Sequence, residues 1–215
     1  MIRGVVFDLW NTLAVWPEAE SVEFRRRWSE RIGVTPETLD EVWSAPGAYE
    51  RRESGPIAEA LTSVLAALGA EPDLTDIVEW RIEIARRALV PEPGVAPTLE
   101  ELRRRGIATG LISNCTEEVA LVWDESPFAA LFDVAVFSAT TGCMKPDPRI
   151  YEAALAGLEL KAADCLFVGD GANDELAGAE RIGMTPVLFD PSGDGKRAWP
   201  EQRISAIPQV LDLLG

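Results

Sequence analysis

The stretch Gly4-Val5-Val6-Phe7-Asp8-Leu9-Trp10-Asn11-Thr12-Leu13 constrains the fold of this chain more than any other. An uncharged, β-rich apolar run stops abruptly at a carboxylate and a turn. That is the pattern of a parallel strand buried on both faces, which reads as a continuous hydrophobic run rather than an alternation. Such a strand gains nothing in packing from a terminal Asp. In open α/β sheets, ligands sit outside the carboxyl ends of the strands, where Asp8 would stand. The competing reading is local: Asp8 caps a turn or the following helix.

Past Thr12 the pattern changes. Residues 17–90 read as helix after helix with no convincing strand. Ile57, Leu61, Val64, Leu65 and Leu68 make a clean 3.6-period face, with Pro56 at a first turn that tolerates proline. After Pro91, Pro93, Gly94 and Pro97, strands and helices alternate. The apolar runs 107–112, 134–137, 165–168 and 185–189 read as strands, and helices are expected over 98–105, 116–124, 147–158, 172–182 and 207–214. Residues 191–200, rich in Gly and Pro, read as a surface loop.

This alternation predicts an α/β chain built on a doubly wound, mostly parallel, Rossmann-like sheet. The core spans residues 1–14 and 91–215, and residues 15–90 form an inserted α-helical cap domain over the strand ends.

Composition then narrows the chemistry. The chain has no histidine, which excludes Ser-His-Asp and Cys-His catalysis and argues against zinc. A formal net charge of −16 opposes binding to nucleic acid and suits a hard divalent cation held by oxygen ligands. No apolar run is long enough to span a membrane. Cys115, Cys143 and Cys165, odd in number and irregularly spaced, fit free thiols in a cytoplasmic protein.

Three strand ends carry polar groups: Asp8, then Ser113-Asn114, then Asp170 with Asp174. Lys145 stands just before a helix in Lys145-Pro146-Asp147-Pro148. A carboxylate nucleophile, a hydroxyl, a lysine and paired acids holding Mg²⁺ together suit phosphoryl transfer.

Four segments in order carry a resemblance to the haloacid dehalogenase superfamily. They are Val5-Val6-Phe7-Asp8-Leu9-Trp10-Asn11-Thr12-Leu13, Leu111-Ile112-Ser113-Asn114, Lys145-Pro146-Asp147-Pro148, and Val168-Gly169-Asp170-Gly171-Ala172-Asn173-Asp174 with Gly178 and Ala179. The resemblance covers the whole chain. It implies Asp8 as nucleophile and Mg²⁺ ligand, with the Trp10 carbonyl, Asp170 and Asp174 completing the metal set. It also implies phosphoryl binding by Ser113 and Lys145, helped by backbone N–H groups near Asn11 and Asn114. The implied substrate is a small phosphorylated metabolite, handled by a monomer or homodimer.

One position departs from the family's phosphatases. They usually carry a second Asp two residues after the nucleophile, to protonate the leaving oxygen, and this chain has Trp10 there. Indole cannot transfer a proton at neutral pH, and general acid–base catalysis is typically worth about 10²–10⁴-fold. Three readings follow: a Mg²⁺-dependent phosphatase, a 2-haloacid dehalogenase-like hydrolase, and a non-catalytic protein that keeps the fold. In the first, the acid comes from the cap (Glu18, Glu20, Tyr49, Glu50 or Glu53) or the leaving group needs none. Trp43, Tyr49, Arg51 and Arg52 cluster in a stretch that reads as loop, where Arg either grips an anionic leaving group or pairs with Glu50 and Glu53. Trp16 either faces the site or packs beneath the cap.

Overall fold

The computed structural model describes residues 1–71, 73–193, 199 and 202–215. Its first strand, β1 (Gly4–Phe7), is buried along its whole length. Alternate side chains serve opposite faces. Val5 and Phe7 join one apolar cluster, and Val6 joins another across the sheet. Val5, Val6 and Phe7 are 0% exposed, and burial of that kind contributes roughly 1.5–3 kcal/mol per side chain.

Five helices follow β1: α1 (Glu18–Ile32), α2 (Pro36–Trp43), α3 (Ala48–Glu53), α4 (Ile57–Ala67) and α5 (Thr75–Ala88). Gly33 ends α1 in the left-handed region, and Thr35 caps α2 through its hydroxyl. These helices enclose an apolar cluster of their own, around Phe24, Trp28, Leu39, Leu61, Leu65 and Ile77. The short helix α3 stands where the sequence read as loop. Gly47, at φ 75°, turns the chain into it.

The alternating half runs α6 (Val95–Arg104), β2 (Ala108–Ser113), α7 (Glu117–Val122), β3 (Val134–Phe137), α8 (Ser138–Thr141), α9 (Pro148–Leu158), β4 (Cys165–Gly169), α10 (Glu175–Arg181), β5 (Thr185–Phe189) and β6 (Gln202–Ile204). The six strands of the described residues are all parallel, in the order β3-β2-β1-β4-β5-β6. This is the doubly wound arrangement, with α6 and α7 on the face of Val5 and Phe7, and α9 and α10 on the face of Val6. Crossovers leave β1 toward β2 on one side, and β4 flanks it on the other. Asp8 therefore lies beside the topological switch point.

Strand β6 was not expected from the sequence. It is three residues long, and only Ile204 of them is buried, too little for an apolar pattern to register. Of the expected loop over 191–200, residues 194–198 and 200 lie outside the described residues. The terminal segment Ile207–Leu213 is a 3₁₀ helix rather than an α-helix. Among the described residues, no helix is long and apolar enough to cross a membrane.

Candidate active site

Strand register brings the expected residues together. Phe7 pairs with Leu111 of β2 and Val168 of β4, so Asp8, Ser113 and Asp170 emerge at the same edge. The Asp8 N–H donates to the Val168 carbonyl at 2.8 Å, extending the ladder by one bond. Asp8 is 6% exposed, and Thr12 donates to its Oδ2 at 2.8 Å. Thr12 is thus a site residue to which the sequence reading gave no role.

Lys145 is buried at the centre of the site. Its Nζ donates to Asp8 Oδ1, to Glu175 Oε2 at 2.6 Å and to the Ile112 carbonyl at 3.1 Å. Burial alone would lower the Lys145 pKa, but Asp8 and Glu175 outweigh it and hold the ammonium well above the usual lysine range. Asn114 fixes this lysine through its backbone. The Asn114 Oδ1 accepts from the Lys145 N–H at 2.8 Å, and its Nδ2 donates to the Lys145 carbonyl at 3.1 Å. The Asn114 side chain is therefore spent on positioning. Ser113 is fully buried beside it.

The fourth segment departs from expectation. The carboxylates gathered within 4.8 Å of one another are those of Asp8, Asp170 and Glu175, and all three are buried. Asp174 is exposed, at φ 54°, and lines an outer cleft with Lys145 and Tyr49. The reason is the register of α10. Gly178 and Ala179 face inward, and a residue three or four positions before them shares that face. Glu175 stands three before Gly178 and four before Ala179 on that helix, whereas Asp174 precedes it in the left-handed region and is turned away.

The surroundings of Glu175 are built around it. Its Oε1 accepts the Gly171 N–H at 2.9 Å, and Tyr151 donates to its backbone carbonyl at 2.8 Å. A Cβ on Gly169 would run into Glu175 Oε1, so glycine is required there. Burial, with Asp8 nearby, pushes the Glu175 carboxyl up to about 8. Burial, aided by Asp170, likewise raises Asp8 against the pull of Lys145. One ammonium does not balance three crowded carboxylates.

Asn11 is exposed at φ 59°, and its N–H is already donated to the Ala14 carbonyl at 2.8 Å. The Trp10 indole turns toward the helical insertion and meets Trp16 edge-on, with centroids 5.0 Å apart.

Trp10 and Trp16 belong to the wall of a 320 Å³ cavity between the insertion and the strand ends. Polar contacts join the halves near it. Arg81 of α5 forms a buried ion pair with Glu118 of α7, and donates to Thr116 Oγ1 at 3.0 Å. The Ile57 N–H at the start of α4 donates to Glu117 Oε2 at 2.9 Å. Nothing in the sequence singled out Arg81 or Glu118. Of the acids considered as replacements for the missing Asp, Glu18 and Glu53 line this cavity, Glu50 lines the outer cleft, and Tyr49 lines both. Glu20 instead pairs with Arg87 at 3.3 Å. Cys115 and Cys143 are buried free thiols, and burial raises Cys115 well above the usual thiol range.

The model of a family described as haloacid dehalogenase-like hydrolase matches residues 2–183. The chain belongs to that family and is a hydrolase of the haloacid dehalogenase type. It is 30% identical to a phosphatase of Mycobacterium tuberculosis, covering 100% of this chain and 99% of the relative. It is 26% identical to a ribulose-1,5-bisphosphate 5-phosphatase of Halopiger xanaduensis, covering 100% and 97%. Among solved structures it resembles a 2-haloacid dehalogenase from Pseudomonas syringae, with TM-score 0.74 and 25% identity over 100% of this chain and 98% of the other.

Proposed function

We propose that the protein is a Mg²⁺-dependent phosphatase that transfers the phosphoryl group of a small metabolite to Asp8 and then to water. The observation that carries this reading is the buried trio Asp8, Asp170 and Glu175, bridged by Lys145. All its donors are hard oxygens, and burial, with repulsion added, already raises two of the carboxyls, so a divalent cation fits. Asp8, Asp170, Glu175 and the Trp10 carbonyl would hold it, and its charge would offset that of the phosphoryl oxygens. The remaining roles belong to this chain's own groups. Thr12 and Lys145 orient the Asp8 carboxylate for attack. Lys145 and Ser113 bind phosphoryl oxygens, and Asn114 holds the lysine in place. Residues 15–90 act as the cap that closes over the site.

Trp10 offers no proton to the leaving oxygen, so leaving groups that are stable as anions react best. Aryl and acyl phosphates should be hydrolysed faster than alkyl phosphates, by about 10²-fold or more in kcat. Equal rates would show that a general acid acts from elsewhere. A dehalogenase reading draws support from the likeness to a 2-haloacid dehalogenase. The carboxylate trio weighs against it, since three crowded acids would repel a substrate carboxylate. Chloride release from 2-chloropropionate without metal would favour it.

A further inference from the structure

Helix α3 turns three side chains, Tyr49, Arg52 and Glu53, toward one cavity. They stand at i, i+3 and i+4, which share a helix face. The cavity reaches the reacting end of the sheet through Trp10 and Asn114, and its walls are Trp10, Trp16, Trp43 and Tyr49. The cavity thus combines flat aromatic surfaces with the charged groups Glu18, Arg25, Arg52, Glu53 and Arg81.

The guanidiniums that line it differ in what balances them. Arg25 pairs with Asp40 at 2.7 Å, and Arg81 pairs with Glu118. Arg52 forms no salt bridge among the described residues. It is 9% exposed, lies 4.0 Å over the Trp43 ring and gives one N–H to the Trp43 carbonyl at 2.6 Å. A guanidinium has five N–H donors in a fixed fork, so most of this fork is left for the cavity. The neighbouring Glu53 carboxyl acts on this charge from a distance, but no carboxylate of the described residues contacts it, and a buried guanidinium in that state is costly unless something pairs with it. Stacking on Trp43 and the bond to its carbonyl hold the fork in one orientation, which suits two-point recognition of an oxyanion.

Resting on the phosphatase reading above, we propose that Arg52 determines specificity by binding a second anionic group of the substrate, a carboxylate or a further phosphoryl group, carried on a flat spacer away from the scissile phosphate. Trp10 and Trp43 sandwich the spacer, and Tyr49 closes the side nearest Lys145. On this account Trp10 replaces a proton donor with a wall for the substrate.

Three aryl phosphates test this on the full-length protein with Mg²⁺: 4-carboxyphenyl phosphate, 1,4-phenylene bisphosphate, and the neutral isostere 4-carbamoylphenyl phosphate. At least one anionic substrate should exceed the isostere by about tenfold or more in kcat/KM, with the gain in KM. Which of the two gains identifies the oxyanion. Arg52→Gln should bring the ratio to about one, and Arg52→Lys should restore part of it. Equal rates for the three in the wild type would overturn the proposal, even if the variant does not fold. Binding of 4-carboxybenzylphosphonate and 4-carbamoylbenzylphosphonate, read by tryptophan fluorescence, separates the two claims. A tenfold preference for the carboxylate without hydrolysis of any ester would keep Arg52's role and remove the phosphatase reading. Hydrolysis with equal affinities and equal rates for the three esters would do the reverse, and absence of both binding and hydrolysis would overturn both.

Discussion

Two buried cations, Lys145 at the strand ends and Arg52 in the helical insertion, are balanced in opposite ways. Lys145 touches both Asp8 and Glu175, and a third carboxylate, Asp170, crowds the same space. Arg52 touches an aromatic face and a carbonyl. The strand ends therefore carry an excess of negative charge, and the insertion carries a guanidinium that no carboxylate of the described residues contacts. A cation satisfies the first and an anion the second. A phosphate ester bearing a remote anionic group, bound together with Mg²⁺, would supply both at once.

The largest effect expected lies on the sheet side. Asp8→Asn should remove phosphate release from an aryl phosphate by at least on the order of 10³-fold, with far-UV circular dichroism unchanged. Residual turnover within tenfold of wild type would place the nucleophile elsewhere. At the seam between the halves, Arg81→Gln leaves Glu118 buried without its ion pair. Breaking a pair of that kind costs about 3–5 kcal/mol, measurable as a lower urea midpoint. A change below 1 kcal/mol would mean that the two halves are not held together by this contact.

A paired substitution tests which acid belongs to the site. Glu175→Gln should weaken Mg²⁺ binding by about 10–100-fold, whereas Asp174→Asn should change it by less than about threefold. The reverse order, measured by calorimetry, would restore Asp174 to the metal set.

The smallest effect expected is one of pH. Burial, with Glu118 nearby, pushes Glu53 up to about 7 against the pull of Arg81 and Arg52. As pH rises through that value, Glu53 gains a negative charge beside the anion pocket. Affinity for a carboxybenzylphosphonate should then fall, by roughly threefold for a like charge several ångströms away. Glu53→Gln should flatten this dependence, and an unchanged slope would show that Glu53 is not facing the ligand. The same shift lowers fold stability as pH rises toward 7, because the folded chain keeps a proton that the unfolded chain has released.

The sheet side was far more legible in the sequence than the insertion. Asp8, Ser113 and Asp170 each end a continuous apolar run, and parallel register leaves little freedom in where such ends meet. Lys145 was found because its segment is distinctive. Its clamp by Asn114 was not, since an Asn gives no sign of which backbone groups it will reach. The fourth segment points to Asp174, because the left-handed backbone that sets Asp174 ahead of α10 and starts the helix at Glu175 has no mark in the sequence. In the insertion, Tyr49, Arg52 and Glu53 sit on a six-residue helix too short for its periodicity to register. Their common direction comes from tertiary packing. Arg52 differs from Arg51 only in facing the cavity rather than solvent.

The measurement closest to the central claim is a search for the covalent adduct. The full-length protein, mixed with Mg²⁺ and 4-carboxyphenyl phosphate, would be quenched in acid within one turnover and its peptides analysed by mass spectrometry. A phosphoryl group on Asp8, lost on longer incubation and missing when Mg²⁺ is withheld, is the predicted result. Stoichiometric phosphate release with Asp8 never modified would contradict the account.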